Sequence, residues 1–166
     1  MEPFDTIERI RALDVFTDSD VQQVRKLTDE HPDVAELWDF LGDVIQLSHA
    51  GDMPTAESMI CYQRAIQCDP SYYVAHESLA FYHDLFDEFD VALRHFRLAL
   101  EHGAGDTARI GAARILEQLG RSDEAQQELN GCVDQQSAPI IELRREIADG
   151  LWAPDIVDDN DDDDAT

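Results

Sequence analysis

The stretch that decides the fold is FDVALRHFRLAL, residues 89–100. Ala92 and Ala99 stand seven residues apart, so on an α-helix they share one face, and Phe96 lies between them on that face. Two small residues on either side of one aromatic ring give a flat surface with a single projection. Because a flat surface lets a second helix approach closely, the stretch predicts a helix that packs tightly against a neighbour.

The same order of small, large and small residues recurs at intervals of 33 to 34 residues. The counterparts are Ser58, Tyr62 and Ala65 before this stretch and Ala125, Leu129 and Cys132 after it. Apolar residues recur at spacings of three and four, turn-forming clusters separate them, and alternating strand-like runs are missing. The sequence therefore predicts about nine helices of ordinary length, arranged as a repeated helical hairpin.

A second spacing precedes the first of these sets, since Trp38, Leu41 and Gly42 follow the order W-x2-L-G. Together with the A-x3-F spacing of Ala92 and Phe96, it resembles the tetratricopeptide repeat family over about residues 1–135. In this sequence the repeats start at Ala35, Tyr73 and Asp106. The resemblance implies an all-α fold: a right-handed superhelical solenoid of antiparallel helix pairs, with about four hairpins and a C-terminal capping helix.

Four segments follow from the repeats and from the local composition. Residues 1–34 should form a degenerate N-terminal hairpin, residues 35–136 three repeats, and residues 137–152 a capping helix with Ser137 as its N-cap. Residues 153–166 hold seven aspartates and no aromatic or cationic residue, so we expect a disordered acidic tail. The loop at residues 48–55 carries about four extra residues and should bulge. Trp152 either anchors the end of the capping helix or stands exposed as a contact residue.

The composition is strongly acidic, because 37 Asp and Glu residues against 12 Lys and Arg residues give a formal net charge of −25. This charge repels phosphate backbones and anionic membranes, so it disfavours nucleic acid and membrane partners and favours a basic protein. A salty habitat or a genome bias explains the same composition equally well, and both explanations stay open. No apolar run approaches the about 20 residues of a membrane span, and the acidic start resembles no secretory signal. Three unpaired cysteines indicate a reducing compartment, so we expect a cytoplasmic protein.

Proteins similar to this family bind peptides in a concave groove that the first helix of each hairpin lines. The matching peptide-binding places here are Glu36, Asp39, Asp43, Gln46, Glu77, Phe81, Asp84, Ile110, Arg114 and Glu117. The clamp of basic and amide residues with which one subfamily grips a C-terminal carboxylate is absent. The groove should instead be acidic around Phe81, with Arg114 as its lone positive charge. These features predict a basic or amphipathic protein segment as ligand, and an ordinary solvated acidic surface is the alternative.

The sequence predicts a non-catalytic interaction module, an adaptor or scaffold, and not an enzyme. It contains no glycine-rich phosphate loop, no G-x-S-x-G elbow and no H-E-x-x-H, and no carboxylate pair stands isolated in an apolar setting. One alternative is a small acidic chaperone of the kind that serves secretion or assembly. A less favoured alternative is a metal-binding or enzymatic protein that uses His76, His83, His95 and His102, whose spacings of seven suit chelation poorly. We expect no cofactor and no metal, and a homo-oligomer is left open.

Overall fold

The computed structural model describes residues 3–48 and 55–152. Within these ranges the chain forms nine helices and no strand, which confirms the predicted all-α fold. The helices are α1 (Pro3–Arg11), α2 (Asp18–Glu30), α3 (Ala35–Ser48), α4 (Ala56–Cys68), α5 (Tyr73–Asp84), α6 (Phe89–Glu101), α7 (Asp106–Gln118), α8 (Ser122–Asn130) and α9 (Ala138–Ala148). The expected bulge around residues 49–54, the acidic tail at residues 153–166 and the first two residues lie outside the described ranges.

The helices pack as neighbouring pairs along the chain. Helix α3 packs against α4, α5 against α6, and α7 against α8, and each pair also contacts the next through α4–α5 and α6–α7. The first helices of successive hairpins lie side by side, because α5 contacts both α3 and α7. At the two ends, α1 contacts α2 and α9 contacts α7. The result is the stacked-hairpin arrangement that the repeat pattern predicts.

The flat face of the opening stretch lies at a joint between hairpins. Ala92, Phe96 and Ala99 of α6 are fully buried in one apolar cluster with residues of α7 and α8. Opposite Phe96 stands Gly111 of α7, where a Cβ atom would lie 2.5 Å from ring atom Cε1. Because glycine has no Cβ, the ring of Phe96 lies directly against the backbone of α7. This contact explains why one face of α6 carries a single large residue between two small ones.

The last helix, α9, covers the end of the stack. Ser137 stands at its N-cap position, and Ile140 and Leu143 are buried on the side that faces the hairpins. The turn before α9 is fastened to the start of α7, because the backbone N–H of Val133 donates to Asp106 Oδ1 at 2.8 Å. The backbone N–H of Asp134 also donates to Asp106, and this bond, followed by the one from Val133, holds the pKa of Asp106 below its usual value.

Candidate functional site

The candidate site lies on the side that α3, α5 and α7 form together, which we call the groove face. The ten residues predicted from the sequence are distributed over these three helices, four on α3 and three on each of the others. Two side-chain links join the helices. Ser78 Oγ of α5 donates to Asp39 Oδ1 of α3 at 2.9 Å, and Arg114 of α7 forms an ion pair with Asp84 of α5. Polar residues of different repeats therefore meet on this face.

Two carboxylates of α3 lie side by side in the groove face, the buried Asp39 and the partly exposed Asp43. Asp39 is only 3% exposed, and Asp43 accepts a hydrogen bond from the Tyr62 hydroxyl at 3.0 Å. Burial, followed by the charge of Asp43, raises the pKa of Asp39 to about 7. Burial also raises the pKa of Asp43, although the Tyr62 bond opposes this. The pair does not stand in an apolar setting, because hydroxyl groups of Ser78 and Tyr62 donate to it and the charge of Arg11 acts on both carboxylates.

The cation beside this pair is Arg11 at the end of α1, which the sequence analysis did not include. Its guanidinium pairs with Glu36 at 3.1 Å. The same charge lowers the pKa of Asp39 and of Asp43, but burial outweighs it in both cases. Arg114 is therefore not the lone positive charge of the site. Three carboxylates of α3 nevertheless share one guanidinium, so this end of the groove face stays acidic.

The middle of the groove face is half-buried. Burial raises the pKa of Glu77 on α5. The ring of Phe81 lies edge-on to Phe96, with centroids 5.1 Å apart and an angle of 84°. Gln46 Oε1 accepts from the Tyr62 hydroxyl at 3.2 Å, so this predicted residue is tied to α4. The middle of the face thus combines an apolar ring with a carboxylate that water only partly reaches.

The α7 part of the groove face is less open than the sequence suggested. Ile110 packs against the apolar cluster of the last two hairpins. Glu117 is buried at 7% exposure, and its Oε2 accepts from Ser122 Oγ at 2.8 Å. These two predicted residues serve internal packing, and Arg114 already pairs with Asp84. The free negative charge of the groove face is therefore concentrated on α3 and α5.

Tyr62 occupies a packing position of the repeat, but its hydroxyl group makes a hydrogen bond to Asp43 that the repeat pattern does not predict. In successive repeats the same two positions hold Tyr62 with Asp43 and Phe96 with Phe81. The first pair meets through a hydrogen bond and the second through an edge-to-face ring contact. This matched change from a polar to an apolar pair is the signal that could have revealed the contact between Tyr62 and Asp43. Arg11 gave no such signal, because it precedes the clear repeats.

The four candidate histidines form a stack along the α5–α6 hairpin. Ring centroids are 5.7 Å apart for His83 and His95, 5.4 Å for His76 and His95, and 5.7 Å for His76 and His102. Burial, followed by the charges of His76 and His83, lowers the pKa of His95 to about 4. Among the residues that the structure describes, no group of three or more His, Cys, Asp or Glu side chains is arranged to hold a metal ion. The stack packs two helices together and offers no metal site of that size.

The paired helices, the buried small residues at each joint and the shared groove face define a tetratricopeptide-like fold. Crystal structures of this class are similar to the chain. The protein TTC0263, described as a thermophilic TPR protein in Thermus thermophilus, has a TM-score of 0.64 and 19% identity, covering 81% of this chain and 72% of that one. MamA has a TM-score of 0.59 and 19% identity, covering 78% of this chain and 70% of its own. At this identity the likeness establishes the fold.

Comparison by sequence alone gives no relative. No protein-family model matches the chain, and no curated protein matches it. Among the helices of residues 3–48 and 55–152, none combines the length and the apolar character that crossing a bilayer requires.

Proposed function

We propose that this chain is a non-catalytic protein-interaction module, an adaptor or scaffold, whose groove face binds a basic or amphipathic segment of a partner protein. The tetratricopeptide-like fold supports an interaction module in general. The observation that carries the proposal for a basic ligand is the pair formed by the buried Asp39 and the partly exposed Asp43, with Glu77 beyond it on α5. The three free cysteines fit a reducing compartment, and we include a cytoplasmic location in the proposal.

A cation from the ligand would relieve the pair of carboxylates. Burial and mutual repulsion make it costly to ionise both Asp39 and Asp43, and Arg11 offsets this only in part. A lysine or arginine side chain that enters the groove face adds the missing positive charge and hydrogen-bond donors. Binding of such a ligand should ionise Asp39 and release a proton. The affinity should therefore rise between about pH 6 and about pH 8, where a group with a pKa of about 7 ionises.

The proposal is tested by capturing partners from native lysate at low salt and identifying them by mass spectrometry. The site variant carries Asp43→Asn and Glu77→Gln on the groove face. The matched control carries Glu101→Gln and Asp123→Asn, two exposed carboxylates on α6 and α8, so both proteins lose the same charge. We expect a basic partner that the wild type and the control retain and the site variant loses.

Two results would refute the proposal. Equal loss of the partner in both variants would mean that the general acidity of the chain attracts it. An affinity that does not fall between about 0.05 M and about 0.5 M salt would remove the electrostatic contribution, because the Debye length shrinks severalfold over that range. Isothermal titration calorimetry of the wild type with the captured partner at two pH values measures the change in affinity with pH, from which the number of protons released on binding follows.

A further inference from the structure

A cleft of about 480 Å³ opens at one end of the groove face, between the ends of α5 and α7 and the segment that follows α9. Its apolar walls are Phe81, Leu85 and Trp152. Leu85 is 50% exposed, while Trp152 is half-buried against the apolar cluster. The cleft is an open depression of the surface, wide enough for one or two side chains of a partner. We call it the Trp152 cleft.

The walls of the Trp152 cleft are held in place by the protein itself. Trp152 Nε1 donates to Glu146 Oε2 at 2.8 Å, and the guanidinium carbon of Arg114 lies 5.5 Å from the centre of the indole ring. On the other side, Phe81 is fixed by its edge-on contact with Phe96. A ligand side chain would therefore enter a preformed space. Preformed walls reduce the ordering cost that binding otherwise carries.

The charges at the cleft favour one kind of ligand. Asp84 and Arg114 neutralise each other through their ion pair, so neither is a free charge. Asp87 remains, in the exposed turn after α5, where its backbone takes a φ of 57°. Three apolar residues line the cleft together with Asp84, Asp87, Arg114 and Gln118. Of its charged groups only Asp87 lacks an ion pair among the described residues, so the cleft complements an apolar side chain that has a cation beside it. The chain's own residues 153–166 follow Trp152 in the sequence, but seven aspartates and no cation make them a poor chemical match for Asp87.

We propose that the Trp152 cleft holds a large apolar side chain of the partner segment, with the adjacent lysine or arginine of that segment at Asp87. This inference rests on the proposed function, because it places the apolar part of the same ligand at one end of the groove face. The basic part then extends along α5 towards Asp39 and Asp43 on α3. The ligand class is accordingly an amphipathic basic segment, and a purely basic one lacks the anchor.

Two synthetic peptides of equal length and equal charge test the inference, one of alternating leucine and lysine and one of alternating alanine and lysine. Their affinities for the full chain are measured by fluorescence anisotropy. We expect the leucine peptide to bind about tenfold more tightly, because it buries apolar surface that alanine lacks. Leu85→Ser should remove most of that advantage. Ile60→Ser, which changes a residue 58% exposed on α4 and outside the cleft, should leave it intact.

The fluorescence of Trp152 gives a second readout, independent of the Leu85 variant. In a Trp38→Phe background Trp152 is the remaining tryptophan, and the leucine peptide alone should shift its emission. The inference is overturned if both peptides bind equally while both lose affinity in salt, an outcome that leaves the proposed function standing. If neither peptide binds, the proposed function itself fails. A dimer of the chain that dissociates on Leu85→Ser would assign the cleft to a second copy and overturn the inference as well.

Discussion

Replacing Gly111 with alanine is expected to destabilise the fold, although alanine is the better helix former. In a helix interior alanine is favoured over glycine by roughly 0.5–1 kcal/mol, so an unhindered site would gain stability. At this position the new Cβ would lie 2.5 Å from Phe96 Cε1, inside the contact distance of carbon atoms. Phe96 is fully buried in the apolar cluster of the last hairpins, so its ring can move only by displacing its neighbours there. Overpacking of a core typically costs about 1–3 kcal/mol, which exceeds the propensity gain.

The net loss should be about 1–2 kcal/mol, which lowers the melting temperature of a chain of this size by roughly 2–8 °C. Thermal and urea unfolding followed by circular dichroism measure it. The control is Phe96→Leu, alone and combined with Gly111→Ala, because a smaller side chain at residue 96 leaves room for the Cβ. The two changes together should cost less than their sum by at least about 0.5 kcal/mol. A Gly111→Ala protein as stable as the wild type would refute the close-packed joint.

Three further changes probe the groove face and the histidine stack through unfolding at several pH values. In the wild type the folded pKa of Asp39, about 7, lies above its usual 3.8, so the free energy of unfolding falls as the pH rises towards and through 7. Asp39→Asn removes this carboxyl and keeps an acceptor for Ser78. The variant should be more stable than the wild type at about pH 8 by on the order of 2 kcal/mol, and this gain should shrink towards pH 4. Equal stability of the two proteins at about pH 8 would contradict the burial of an ionisable Asp39. Tyr62→Phe leaves the partly exposed Asp43 without its 3.0 Å donor and should cost about 1–3 kcal/mol. The cost should be larger where Asp43 is ionised than in acid, where it is protonated, and a neutral effect at every pH would contradict the hydrogen bond. The folded pKa of His95 is about 4 against the usual 6.5, so the wild type loses stability as the pH falls from 6.5 to 4. His95→Gln should lose about 1–2 kcal/mol less than the wild type over that range, after solvent screening is allowed for. Identical pH profiles of the two proteins would count against the histidine stack.

The fold could be read from the sequence because its determinants are local. Small residues at 92 and 99 around Phe96 define a helix face within one helix, and the repeat of that face fixes which helices are neighbours. The side that α3, α5 and α7 share could be predicted in the same way, since it depends only on which helix comes first in each hairpin. The structure confirms the all-α architecture and the pairing of the helices.

The exposure and the hydrogen bonds of the individual groove residues could not be predicted from the sequence in the same way. Whether Asp39 is exposed depends on the distance between α3 and α5. The hydrogen bond from Ser78 of α5 to Asp39 of α3 shows that this distance is short, and the sequence alone does not show it. Glu117 is likewise removed from the surface by Ser122, a residue of the following helix. Helical periodicity assigns a side chain to a face, but the depth of that face is set by packing between helices.

The pairing of each helix mainly with its neighbours in the chain has a consequence for how the molecule opens. Among the described helices no extensive contact ties the first hairpin to the last, so the stack can fray from either end while its centre stays closed. Backbone amides of α5 and α6 should therefore exchange with solvent most slowly, and protection should fall off towards α1 and α9. A partner segment that lies across α3, α5 and α7 would hold together three hairpins that otherwise open one at a time. It would therefore slow the hydrogen exchange of backbone amides that it does not contact.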